Sequence, residues 1–122
     1  PCQNSLFLRP ISQDCFANFT LSIKPKLSND INGINIKFIQ SIIHEIKLPL
    51  TSIFNLSIET GTFPNALKTS KCIPIYKNKG DKTLLDNYRL VCLVDNFSKP
   101  FEKIMCSRLI DFLNDNNFFV DL

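Results

Sequence analysis

Apolar positions in this chain fall first into helical stripes, then into two short runs with strand character, then into a helical stripe again. Residues 1–10 show no period and read as an irregular lead-in. Ser12 stands where its side chain caps a helix, with Asp14 at the positive N-terminal end. Cys15, Phe16, Phe19 and Ile23 form the stripe, and Pro25 stops it. Leu27 to Ile34 is polar and turn-rich. A second helix is predicted over 36–46, with Phe38, Ile39, Ile42, Ile43 and Ile46 on one face. Pro49 suits the first turn of a third helix, whose stripe is Leu50, Ile53, Phe54 and Ile58 and whose left-handed stop is Gly61.

The character then changes. Lys71–Lys77 is short, β-branched and aromatic, as a strand is. Pro74 cannot donate to a ladder, so this strand must lie at an edge or be paired on one side only there. Asn78–Asp81 carries turn chemistry, with Gly80 free to take positive φ. Tyr88–Val94 is the returning strand. Phe97, Phe101, Ile104, Met105, Leu109, Phe112 and Leu113 recur at helical spacing, and Pro100 lies early in that helix, where a missing N–H is tolerated. Asn114–Asn117 ends it, and Phe118–Val120 begins a further apolar piece. The expected fold class is α+β: helices followed by an antiparallel β-hairpin and a long helix, in one domain over residues 1–122.

Composition fits a globular chain: 44% hydrophobic and 11% aromatic. Five cysteines (Cys2, Cys15, Cys72, Cys92 and Cys106) form no CxxC pair, and His44 is the one histidine, which argues against a zinc site. Wide spacing and an odd count suggest free thiols in a reducing compartment. His44 reads as a helix-surface or boundary residue rather than a ligand. No apolar run approaches the ~18 residues that a membrane span needs, and the first residues do not have the plan of a secretory signal. A start without Met is read as the mark of a fragment or an open-ended reading frame.

Charge is what singles out the hairpin. Residues 61–108 hold nine Lys and Arg against four Asp and Glu, while the whole chain is only +3. A basic hairpin on a nearly neutral body points to a phosphate-bearing partner, and the alternative is a hairpin kept soluble by its lysines. Lys71 and Lys77, six apart on the first strand, share a face if that strand is regular. On the bland reading, Arg89 pairs at the surface with Asp86 or Asp95.

Four pieces in order carry a resemblance: Thr60-Gly61-Thr62-Phe63-Pro64, Ile73 to Asp81 (IPIYKNKGD), Asn87-Tyr88-Arg89, and Ser98-Lys99-Pro100-Phe101-Glu102-Lys103. Together they resemble the fingers region, with the start of the palm, of reverse transcriptases from non-LTR (LINE-type) retrotransposons, and the likeness covers nearly the whole chain. Departures from the family pattern are Asp30 at a usual Gly, Asn32 at a usual Asp, Leu67 at a frequent Trp, Leu90 for the Pro after the Arg, Val91-Cys92 for Ile-Ser, and Pro100 for a branched apolar residue.

The resemblance implies a fragment of an RNA-directed DNA polymerase that contributes contacts to incoming nucleotide and template. Arg89, Lys71 and Lys77 are then the candidate nucleotide-binding residues, and Lys79 and Lys82 the candidate nucleic-acid contacts. Implied partners are an RNA template, a DNA primer, deoxynucleoside triphosphates and the remainder of the polymerase chain, with no membrane and an intracellular location, nucleus and cytoplasm. Nucleotidyl transfer needs carboxylates that hold two metal ions. The family's first catalytic Asp lies beyond the position of Leu122, so no residue here is assigned a catalytic or metal-binding role. The fragment itself calls for no cofactor, and Mg²⁺ belongs to the complete family enzyme. Other readings are a non-catalytic nucleic-acid-binding module and a degenerate remnant of a mobile element.

Overall fold

Residues 6–118 are described by the structure, a computed structural model; Phe119 and Val120 of the expected terminal apolar piece, and Cys2, lie outside them. The order of elements is α1 (Gln13–Leu21), α2 (Ile36–Ser41), α3 (Ile43–Thr60), β1 (Ser70–Tyr76), β2 (Tyr88–Val94) and α4 (Ser98–Asp115), with short 3-10 turns at Asn65–Leu67 and Leu85–Asn87. This is a helical body bearing one two-stranded antiparallel hairpin, and it agrees with an α+β reading.

Local chemistry explains the helix ends. The Ser12 hydroxyl accepts from the Cys15 N–H at 3.2 Å, capping α1 as its position predicts. Gln40 reaches back to the other end of α1 and donates to the carbonyls of Thr20 at 2.9 Å and Ile23 at 2.8 Å. Gly61 closes α3 at φ 65, and the Ser57 hydroxyl donates to Thr62 O across that stop. Asn117 at φ 54 ends α4 with paired bonds, Phe118 N to Leu113 O and Asn117 N to Asn114 O, which satisfy the last carbonyls.

One boundary differs from the reading of the sequence. The chain does not break before Pro49; it breaks at Ile42, whose φ −114 and ψ 13 separate α2 from α3. Pro49 then lies inside α3. It removes one helical bond there, at roughly 3 kcal/mol for an interior position. Burial on either side offsets this: Ile43 and Phe54 are fully buried, and the kink at Ile42 lets Ile39 and Ile43 both turn inward. Phe38 and Ile53, expected on buried faces, are about half exposed.

The core sits between α1, α3 and the first half of α4. Ile11, Phe16, Ala17, Ile43, Phe54, Phe101 and Ile104 compose it. Phe54 is its centre, 5.5 Å from the Phe16 ring and stacked on Phe101 at 4.5 Å, with Phe63 tilted against Phe101 at 5.9 Å. Each such ring contributes about 1.5–3 kcal/mol by burial alone. Of the predicted α4 stripe, Phe101 and Ile104 are buried, Phe112 and Leu113 are half-buried, and Leu109 is exposed.

A knot of polar groups fixes the root of the hairpin to the body. Asp30, only 5% exposed, accepts from the N–H groups of Asn32 (2.9 Å) and Ile34 (3.0 Å), and its second oxygen accepts from the N–H of Asn96 at 3.0 Å. Asn32 donates to Asp95 at 2.8 Å, and Asn96 donates to Ile34 O at 2.7 Å. Asp95 also accepts from Phe97 N–H at 2.7 Å, which stands in for a cap at the start of α4. The loop over 27–34 is thereby clamped to the junction of β2 and α4, more than 60 residues away along the chain.

Candidate functional site

Period-two alternation decides which hairpin side chains share a face. The register pairs Ser70 with Val94, Cys72 with Cys92, Ile75 with Arg89 and Tyr76 with Tyr88. Lys71, Ile73 and Ile75 of β1 therefore share a face with Arg89, Val91 and Leu93 of β2. Pro74, Tyr76, Tyr88 and Leu90 occupy the other face. Six of the seven β1 residues and the middle four of β2 are exposed, including Leu90 at 74%, so the helical body covers neither face along most of the ribbon. In a sheet of two strands each strand is an edge, which accommodates Pro74.

Arg89 lies opposite Ile75, and Lys71 lies four residues from Ile75, so about 13 Å of strand separates the two cations along one face. Surface pairing of Arg89 with Asp86 or Asp95 is not formed. Asp95 is 2% exposed and engaged by Asn32 and Phe97, and among the described residues Lys47–Asp14 is the one ion pair. Lys71, Lys79 and Arg89 make no side-chain hydrogen bond among the described residues, so their charge faces solvent.

The other two candidates serve the hairpin itself. Lys77 lies just past the end of β1, and its ammonium donates to the Asp86 carbonyl at 2.7 Å. It borders a shallow cavity with Pro74, Tyr88 and Leu90, which places it away from the Lys71 face despite the even spacing. The Lys82 ammonium lies 5.6 Å from the centroid of the Tyr76 ring, a cation–π contact. Tyr76 and Tyr88 pack with centroids 5.5 Å apart; Tyr88 donates to Lys82 O at 2.9 Å and Tyr76 to Gly80 O.

The loop over 77–87 is thus built rather than slack. Gly80 has φ +83, and a Cβ there would lie 2.6 Å from the Asn87 amide nitrogen, which donates to Asp81 O at 2.7 Å. Asp81 accepts from the Thr83 N–H at 2.8 Å, and hydrogen bonds from the Thr83 backbone and side chain hold its carboxyl below the usual carboxylate range. Lys79 rides on this loop beside Asn78, whose φ of 56 tightens the turn.

The two buried carboxylates at the root of the hairpin, Asp30 and Asp95, do not suit Mg²⁺. Asp30 and Asp95 spend their oxygens on N–H donors, and among the described residues no group of three His, Cys, Asp or Glu gathers as a metal requires. Asp30, Asn32, Asp95 and Asn96 are the site-supporting residues that sequence reasoning missed. An Asp two residues before an Asn-Gly pair is an Asx-turn signal, but nothing local announces the Asn96 partner.

Comparison with known proteins adds an independent line. No family model matches the chain. The 115 kDa protein in type-1 retrotransposable element R1DM of Drosophila melanogaster is 30% identical over 92 residues, 75% of this chain and 9% of its own length. The RNA-directed DNA polymerase from mobile element jockey of Drosophila funebris is 26% identical over 110 residues, 90% of this chain and 12% of its own length. Its Drosophila melanogaster counterpart gives the same identity and coverage. The chain thus spans about a tenth of the length of these curated relatives. Among the described residues no helix is long and apolar enough to cross a membrane. Taken together, these likenesses support for the chain a reverse-transcriptase-related family, that of retrotransposon RNA-directed DNA polymerases.

Proposed function

We propose that this chain is a fingers-like part of a non-LTR retrotransposon RNA-directed DNA polymerase, and that its hairpin contacts the phosphates of the incoming nucleotide and of the template. The observation that carries the reading is Arg89: an unpaired guanidinium on an exposed strand face, with Lys71 further along the same face. A guanidinium presents its donors as a fixed fork and binds two phosphate oxygens at once, whereas Lys71 adds a point charge. Lys79, on the loop, would contact the template backbone. Lys77 keeps donors beyond the one given to Asp86 O, and Lys82 keeps its charge above Tyr76, so both reinforce the field around the phosphates. Mg²⁺ in such a polymerase would be held outside these residues, and the hairpin's part is to bind and orient. The clamp of Asp30 on Asn96 supports the reading because it fixes the base from which the hairpin projects.

The test is steady-state primer extension by a longer polymerase that carries this segment. Arg89→Ala should raise the KM for deoxynucleotide by roughly tenfold or more, as expected for a lost charge-assisted contact of about 1.5–3 kcal/mol. Lys82→Ala should change it little. An unchanged KM at Arg89→Ala would overturn the nucleotide role.

A further inference from the structure

Cys72 and Cys92 stand directly opposite each other on β1 and β2, and both are exposed. Lys77 N donates to Asn87 O, and bonded and open pairs alternate along an antiparallel ribbon, so the pairs 75/89 and 73/91 are hydrogen-bonded and 74/90 and 72/92 are open. Pro74, with no N–H, sits at an open pair as this alternation requires. Open pairs bring Cα atoms to about 4.5 Å, inside the roughly 4.4–6.8 Å that a disulfide spans. Their side chains leave the same face of the ribbon. Hydrogen bonding to Cys72 is the main cause that pushes the Cys92 thiol above its ordinary value, with desolvation and the Cys72 charge adding to it. Among the described residues, Cys15 on α1 and Cys106 on α4 have no such counterpart.

We propose that Cys72 and Cys92 form a thiol–disulfide modification site, closing a reversible bridge across the hairpin when a low-molecular-weight disulfide such as glutathione disulfide is present. One thiolate attacks a sulfur of glutathione disulfide, forming a mixed disulfide and releasing one glutathione thiol. The second thiolate then attacks the protein sulfur of that mixed disulfide and releases the second glutathione. Two hydrogens and two electrons leave the protein and appear as two glutathione thiols. The bridge would close a ring that carries the loop over 77–87, on a hairpin with no core beneath it, while the Arg89 side chain stays free on the opposite face.

The chain is equilibrated with reduced and oxidised glutathione, quenched by alkylation, and mapped by mass spectrometry. The expected result is loss of two hydrogens, confined to a Cys72–Cys92 linked peptide, in most molecules. Trypsin cleavage within the loop, at Lys77, Lys79 or Lys82, should leave the halves joined until a reductant is added. Cys72→Ser should abolish the bridge and leave a single glutathione adduct on Cys92, and Cys106→Ser should leave the bridge unchanged. Glutathione adducts on both Cys72 and Cys92 without a bridge, or bridges scattered among all the cysteines, would overturn the proposal.

Discussion

Substituting Ala for Gly80 should open the hairpin while sparing the helical body. At φ +83 an L side chain pays roughly 1–2 kcal/mol in backbone strain. The new Cβ also falls 2.6 Å from Asn87 Nδ2 and 2.8 Å from its Oδ1, so Asn87 must rotate away. That breaks its 2.7 Å bond to Asp81 O, worth about 1 kcal/mol. The total is about 2–3 kcal/mol, or roughly a 30- to 150-fold rise in local opening. Gly61 has φ +65 but nothing within 4 Å of a Cβ, so Gly61→Ala should show the backbone strain alone. Amide hydrogen exchange reads this directly at the Lys77 N–H, whose 2.8 Å bond to Asn87 O closes the ladder. Core amides of α1, around Phe16, should keep their protection in Gly80→Ala, because no hairpin residue belongs to that core. Unchanged exchange at Lys77 would refute the steric argument, and an equal loss of protection across the core would refute the separation of hairpin and body.

Asp30→Ala should leave the N–H groups of Asn32, Ile34 and Asn96 without their acceptor and lower stability by about 3–5 kcal/mol, read as a fall in thermal midpoint, with Asp30→Asn intermediate. Phe54→Ala, at the centre of the aromatic stack, should cost about 3–5 kcal/mol in denaturant titration. Because the Asp81 carboxyl is held below its ordinary value when folded, its support of the loop is present above the unfolded-state value and is lost as pH falls through the folded one. The Thr83 amide resonance should therefore move in acid, below the usual carboxylate range, and not near neutrality. Exposed Leu56, Ile75, Leu90 and Leu109 should make the isolated chain self-associate, which sedimentation at rising concentration would register as rising mass; constant monomer mass would contradict this.

Local chemistry was legible in the sequence where one or two residues decide it. Ser12, Gly61, Gly80 and the Tyr88–Val94 strand each announce themselves through a cap, a positive φ or a β-branched run, and the structure follows. The break at Ile42 was not legible, because it arises from two isoleucines turning into different parts of the core rather than from a breaker residue. Pro49 looked like a helix start because propensity ignores the packing that holds α3 together around it. The face shared by Lys71 and Arg89 follows from period two once the hairpin is granted, whereas the free state of Arg89 depends on Asp95 being occupied from a loop more than 60 residues away. Lys77 left the expected face because it falls past the last strand residue, where alternation ceases to bind it.

The central claim is that the Arg89 face meets nucleic-acid phosphates, and fluorescence anisotropy tests it most directly. The isolated chain is titrated against a short labelled primer–template at several salt concentrations, alongside Arg89→Ala, Arg89→Lys and Lys82→Ala. About three phosphate contacts should give a log–log salt slope of roughly −2 to −3. Arg89→Ala should weaken binding most, Arg89→Lys less because a point charge replaces the fork, and Lys82→Ala least because its ammonium rests on Tyr76. Equal losses at Arg89 and Lys82, or binding that is absent at low salt or indifferent to salt, would contradict the account.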